Sequence, residues 1–362
     1  MSTSSARPPT EPEAGGRGPA TGFAVLRSAD ALSLRFRLRT ALVVVVLVGA
    51  ALSVAVVALG SGEVPLSPGE VIASLVGRGS PIADLVVLDL RLPRVLLALL
   101  IGAALGLSGA IFQALTRNPL GSPDVIGFST GAFTGVLVVT VVFGNGYFLV
   151  ATGALVGGLA TALAVYLLAY RRGVQGFRLI IVGIAVSAVL TSINEWFIIK
   201  VDLQAAYAAT IWGQGTLNGL DWKQAPAVAA LVVLLAAALA ACGPRLLLLE
   251  MGDDVAGALG VRVERARLTY LALGVALIAV ATAAAGPIAF VALAAPQLAQ
   301  RLTGSAGIAL VPSAAMGALL LIVSDWVAQR AFAPTQLPVG VVTVTLGGAY
   351  FVWMLARAAR TT

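Results

Sequence analysis

The side chains able to do chemistry are few, and their kinds exclude more than they allow. The 362 residues contain no histidine and one cysteine, Cys242. An imidazole base, a histidine-rich metal site and an internal disulfide are therefore all excluded. Cys242 falls at a helix end and reads as a packing residue. Acids inside apolar runs are scarce, with Glu195 and Asp325 the clearest. No Gly-x-x-x-x-Gly-Lys-Ser/Thr string is present to cradle a nucleotide phosphate. Intramembrane hydrolysis needs a nucleophile with a base, or metal ligands, and no such arrangement stands out. The polar residues are instead clustered in four strings.

The first string is Arg91-Leu92-Pro93-Arg94, a Gly/Ala-rich run, then Gln113, Asn118-Pro119, Ser122, Pro123 and Asp124. Taken singly, Pro93 suits a helix start, Asn118-Pro119 ends one helix, and Ser122 suits the cap of the next. The second string spans 249–262. Glu250, Gly252, Asp253 and Asp254 lead into a short apolar face of Val255, Ala256 and Leu259, stopped by Gly260 and followed by Arg262, Arg265 and Arg267. Three acids facing anionic lipid would be unfavourable, so this short helix suits a protein partner better than a membrane surface. The third string spans 286–304, where Pro287 and Pro296 bound a short apolar stretch and interrupt its helix. The fourth runs through Asp325 and Arg330 to Leu337-Pro338. Asp325 is either functional or a hydrogen-bonded structural group, since an acid in an apolar run needs a reason.

These strings must be positioned by membrane helices. Hydrophobic residues make up 59% of the chain, charged residues only 11%, and the mean hydropathy is +0.99. A soluble domain must wet its surface and is not so apolar. The apolar runs lack the period-2 alternation of a β-barrel, so helices of about 20 residues are expected. Ten spans are expected, near 40–60, 94–115, 123–143, 147–170, 178–199, 222–243, 265–285, 287–301, 307–330 and 338–357. The eighth is short enough to be partial or broken. Residues 1–35, rich in Pro, Gly, Ser and Thr, read as a disordered cytoplasmic tail, and 36–362 as one transmembrane domain.

The formal net charge of +7 follows from arginines between spans. With the N-terminus inside, fifteen near-membrane basic residues fall on the cytoplasmic side and six outside. That bias places both termini in the cytoplasm of a cell-membrane protein. The basic residues then meet anionic lipid head groups, and nucleic-acid binding is not expected. Small residues one turn apart, Gly102 with Gly106 and Gly153 with Gly157, are expected to let helices approach closely.

In order and spacing, the four strings resemble the FecCD family, the permease subunits of type II ABC importers for iron–siderophores, haem and vitamin B12. The resemblance runs from about residue 42 to 357. It implies an all-α, ten-helix subunit like the vitamin B12 importer permease, paired with a second copy or a paralogue around a pathway at their interface. It also implies two cytoplasmic ATPase subunits, which carry the ATP and Mg, so that this chain is no enzyme and binds no cofactor itself. Their docking loop would comprise Glu250, Gly252, Asp253, Asp254, Ala256, Leu259 and Gly260. An extracytoplasmic binding protein would dock on Arg91, Arg94 and Arg330. Candidate pathway or gating residues are Gln113, Asn118, Pro119, Pro287, Pro296 and Gln297. The family commonly has His and Arg where this chain has Gln297 and Gln300, a departure that removes a titratable group. Glutamine at the first position is similar to siderophore-type permeases, so a ferric siderophore is the expected cargo, with haem or B12 as alternatives. A pre-chelated metal brings its own ligands, which agrees with a pathway poor in them. An ion-coupled secondary transporter is the competing class. The break at Gly286-Pro287 suits it, and the scarcity of deep acids does not.

Overall fold

The computed structural model describes residues 23–358 apart from 28–32, 125, 145, 171–175, 201–202 and 244. Two short strands, β1 (Phe23–Arg27) and β2 (Ser33–Arg37), pair antiparallel with Phe23 opposite Arg37. This corrects the expectation of a structureless tail for those stretches. The alternation Leu34, Arg35, Phe36, Arg37 is the period of a two-faced strand. The rest of the expected tail, 1–22 and 28–32, lies outside the described residues, as do Arg171, Arg172 and Arg360.

The remainder is helical. α1 (Leu38–Gly60) is followed by α2 (Pro68–Leu75) and α3 (Pro81–Asp84), which runs through a π-helical turn, Leu85–Arg91, into α4 (Leu92–Thr116). Next come α5 (Phe128–Phe143), α6 (Tyr147–Ala169), α7 (Gly176–Lys200), α8 (Leu203–Gly213) and α9 (Ala225–Ala241). Two short helices, α10 (Arg245–Glu250) and α11 (Asp253–Ala258), precede α12 (Val263–Ala285). α13 (Val291–Thr303), α14 (Leu310–Arg330) and α15 (Val339–Ala358) complete the chain.

Six segments are long and apolar enough to span a bilayer: α1, α6, α12, α14, 177–200 of α7, and the continuous stretch from α3 through α4. α5, α9 and the described part of α15 are shorter apolar helices. With α13 these match the ten expected spans. α13 has 13 residues, about 20 Å, and is too short for a bilayer core of about 30 Å. The interruption expected at Gly286-Pro287 accounts for it. α8 was not expected. Its 11 residues reach only about 16 Å, so it lies beside the bundle as a partial helix.

α4 is the hub. Seventeen of its 25 residues are buried, and it packs against α12, α13 and α14. Contact with α14 is made backbone to backbone. A Cβ on Gly102 would collide with the carbonyl of Gly317, and one on Gly106 with that of Ser313. Gly153 and Gly157 on α6 meet α5 in the same way at Gly135 and Gly131. Both pairs of small residues therefore mark the close crossings expected of them. In lipid, where the tails are as apolar as leucine, such packing is what holds helices together. Many large apolar side chains point outward, among them Leu42, Val45, Leu163, Leu167, Leu234 and Ile184. A hydrocarbon solvent makes that exposure favourable.

Candidate functional site: two ends and a lateral cavity

The bundle has two distinct ends, and the four strings divide between them. At one end α1 starts, α4 finishes, α12 starts and α13 finishes. Arg39 at the start of α1 donates to Leu302 O at the end of α13, 2.9 Å away. Here α10 and α11 form a bracket. Asp253 at the start of α11 accepts from Arg267 of α12 at 2.7 and 2.8 Å and from Arg117 at 3.0 Å. Arg117 closes α4 in a left-handed conformation (φ 50°). Gly252, at φ 118°, allows the sharp entry into α11.

The seven residues expected to form a docking loop thus have different roles. Ala256 is fully buried and anchors the helix. Glu250 turns inward, and its carboxylate accepts from Ile308 N at 3.3 Å, tying α10 to the start of α14. Burial pushes the Glu250 carboxyl above its ordinary range, and the Ile308 N–H draws it partly back. Asp253 is engaged internally. Of the seven, Asp254, Leu259 and Gly260 are exposed, and Val255 beside them is exposed as well, with Leu259 60% exposed. Val255 and Leu259 are spaced i, i+4 along α11 and its C-cap and share one face; Met251 is also exposed but precedes the turn at Gly252.

At the opposite end the arginines of the first string are occupied. Arg94 makes a two-pronged ion pair with Asp325 of α14, Nη2 to Oδ1 at 2.8 Å and Nε to Oδ2 at 3.0 Å. Asp325 is fully buried and also accepts from Gln329 at 2.8 Å. The structural alternative for Asp325 is therefore the one observed. Arg94, expected as a docking residue, is a strut between α4 and α14, because a buried carboxylate must be paired. Arg91 donates to Leu59 O at 2.7 Å and Val64 O at 2.8 Å, fastening the end of α1. Arg330 is exposed, and its charge acts on Arg91.

Between the ends, the expected gating residues separate into two groups. Gln297 donates to Gln113 Oε1 at 2.7 Å, and Gln113 donates to Leu293 O at 3.0 Å. This joins α4 to α13 one turn from Pro296, whose ring removes a helix hydrogen bond. Pro119 shares a small pocket with Gln297, Phe290 and Tyr350, and Asn118 Oδ1 caps the turn at Leu120 N, 2.9 Å away. Pro287 lies elsewhere. It lines a cavity of about 670 Å³ with Asp124, Asn194, Glu195, Gln214 and Thr345. Three chain breaks meet there. Thr216 N donates to Ala285 O at 2.7 Å and Gly340 N to Gly215 O at 3.2 Å. A Cβ on Gly340 would collide with the carbonyl of Gln214. The cavity opens on the face of α5, α7 and α15, and its walls carry amide, hydroxyl and carboxyl groups inside an apolar frame. Asn194 donates to Thr130 O at 3.4 Å, while its Oδ1 is buried with no partner among the described residues. Gln214, Asn194 and Thr345 were not found from sequence. They come from three distant segments; of the cavity's lining, Asp124, Glu195 and Pro287 had given a signal in the sequence.

The FecCD transport family model matches residues 50–357. The chain is 51% identical over 314 residues to the ferric enterobactin transport system permease protein FepG of Escherichia coli (strain K12), covering 87% of this chain and 95% of that one. It is 34% identical over 311 residues to the iron(3+)-hydroxamate import system permease protein FhuG of Bacillus subtilis (strain 168), covering 83% and 93%. Among solved structures, an inward-facing ABC transporter described as of the metal-chelate type superposes with a TM-score of 0.78 at 27% identity, covering 88% of this chain and 99% of that one. This chain belongs to the FecCD transport family of membrane-spanning permeases.

Proposed function

We propose that the chain is the permease subunit of an ATP-driven importer that carries a ferric siderophore into the cytoplasm. The observation that carries this reading is the 51% identity to a ferric enterobactin permease across nearly the full length of both chains. It favours siderophore over haem or B12 as cargo. The end bearing α10 and α11 faces the cytoplasm, as the basic bias requires, which puts both termini there. One of two ATPase subunits, which hold the ATP and Mg, docks on Asp254, Val255 and Leu259, and the other on the pairing permease. A second copy or a paralogue packs against the face of α5, α7 and α15. The cavity of Asp124, Glu195 and Gln214 then becomes half of a pathway. A binding protein meets the other end near Arg330.

The bracket supports a coupling route. Asp253 is fastened to α4 through Arg117 and to α12 through Arg267. A displacement of α11 by the ATPase would be carried into both helices, and through Gln113–Gln297 into α13. The test is uptake of radiolabelled iron, presented as a ferric siderophore, by cells lacking the gene and complemented with it. Uptake restored for ferric catecholate or hydroxamate chelates, and not for haem or cobalamin, supports the proposal. Restoration for haem or cobalamin alone contradicts it.

A further inference from the structure

A second cavity, of about 500 Å³, opens at the end of α9 and the start of α12, beside the docking bracket and separate from the lateral cavity. Its wall carries Arg245, Arg262 and Arg265, together with Cys242, Thr269 and Tyr270, and no acidic residue. Several other arginines of this end have partners. Arg117 and Arg267 pair with Asp253, and Arg39 donates to Leu302 O. Among the described residues, no carboxylate pairs with Arg245, Arg262 or Arg265. Tyr270 fixes the floor, donating to Gly243 O at 3.0 Å and accepting from Leu246 N at 3.2 Å. Three arginines line one cavity with no carboxylate in its wall, and an anion bound there would supply the counter-charge.

We infer that this cavity binds the headgroup of an anionic phospholipid, best one with two phosphates of the cardiolipin type. Leu259 and Gly260 also line the cavity, so it adjoins the face on which the ATPase is proposed to dock. α9 and α12, whose ends form the cavity, also expose Leu231, Leu234 and Leu268, an apolar track for acyl chains on the same two helices. Arginine forks suit phosphodiester oxygens, and basic pockets between helices at the headgroup level are where such lipids bind. A soluble acidic partner would match the arginines and leave the apolar track unused. The inference rests on the chain spanning a bilayer and is independent of which chelate it carries.

The test uses the full chain purified in a neutral detergent, with cardiolipin, phosphatidylcholine and inorganic phosphate each titrated and bound ligand read by native mass spectrometry. Cardiolipin should bind selectively, and Arg262→Gln with Arg265→Gln should weaken it roughly tenfold or more. Arg330→Gln, at the opposite end, should leave it unchanged. Should the double variant fail to fold, the single variants, both at exposed positions, carry the comparison. Equal binding of phosphatidylcholine, or equal weakening by Arg330→Gln, overturns the site. Phosphate competing as well as the lipid binds makes it a free-anion site and overturns the lipid assignment. Unchanged lipid binding with loss of the ATPase subunits from the double variant gives the arginines to a protein partner, and also overturns it.

Discussion

Arg267 Nη2 stands 2.7 Å from one carboxylate oxygen of Asp253 and 2.8 Å from the other, so a single nitrogen of an α12 arginine engages both oxygens of the first residue of α11. The helix is thereby joined to the membrane bundle rather than hung from it by loops. Asp253→Asn keeps the shape and removes the charge. Because Arg267 is buried and Asp253 half-exposed, the loss should be about 1–3 kcal/mol. Transport-linked ATP hydrolysis should fall several-fold while the ATPase subunits still co-purify. Asp254→Arg, on the exposed side, should do the reverse and weaken co-purification. Identical behaviour of the two variants would contradict the division of roles.

The Arg94–Asp325 pair makes a sharper stability prediction. Removing one partner of a buried pair leaves an uncompensated charge and costs about 3–5 kcal/mol. Arg94→Gln should therefore lower the unfolding temperature in detergent markedly. Arg94→Leu combined with Asp325→Leu should recover most of the loss, because the site is then apolar throughout. Additive losses in the double variant would argue against a simple strut.

Arg91 and Arg330 should separate in kind. Arg91→Glu breaks two hydrogen bonds to carbonyls and should reduce folded yield. Arg330→Glu should leave yield unchanged and slow association of the binding protein. The slowing should shrink as salt is raised, since exposed charges act mainly on encounter rate. Surface plasmon resonance at two ionic strengths distinguishes these outcomes.

The α4–α14 crossing is predicted to be intolerant of bulk. Gly106→Leu places a side chain where Ser313 O now sits, and the helices must separate. Folded yield should drop sharply. Gly49→Leu, on an α1 face with nothing nearby, should be tolerated.

How much of this was legible in the sequence follows from the range of each interaction. The spans were legible because an apolar run of 20 residues states its own environment, and Gly102 and Gly106 because one turn of helix sets their spacing. The short helix of the second string was legible, though not which of its residues face outward, since Asp253 is engaged by Arg117 and Arg267 from elsewhere in the bundle. Arg94 could not be matched to Asp325, 231 residues away. α8 was missed because eleven residues, with Gln204 and Thr210 among the apolar ones, fit either a loop beside the membrane or a partial helix. The lateral cavity was missed because Asn194, Gln214 and Gly340 meet only through tertiary packing.

The central claim is that this chain moves a ferric siderophore through a membrane at the expense of ATP hydrolysed elsewhere. The most direct measurement is import into proteoliposomes holding this permease, its pairing permease if separate, and the ATPase subunits, with the loaded binding protein supplied outside and ATP enclosed. The account predicts accumulation of the ferric chelate that requires ATP inside, persists after a protonophore collapses ion gradients, and is lost in Asp253→Asn. Accumulation driven by a proton or sodium gradient without ATP would contradict it.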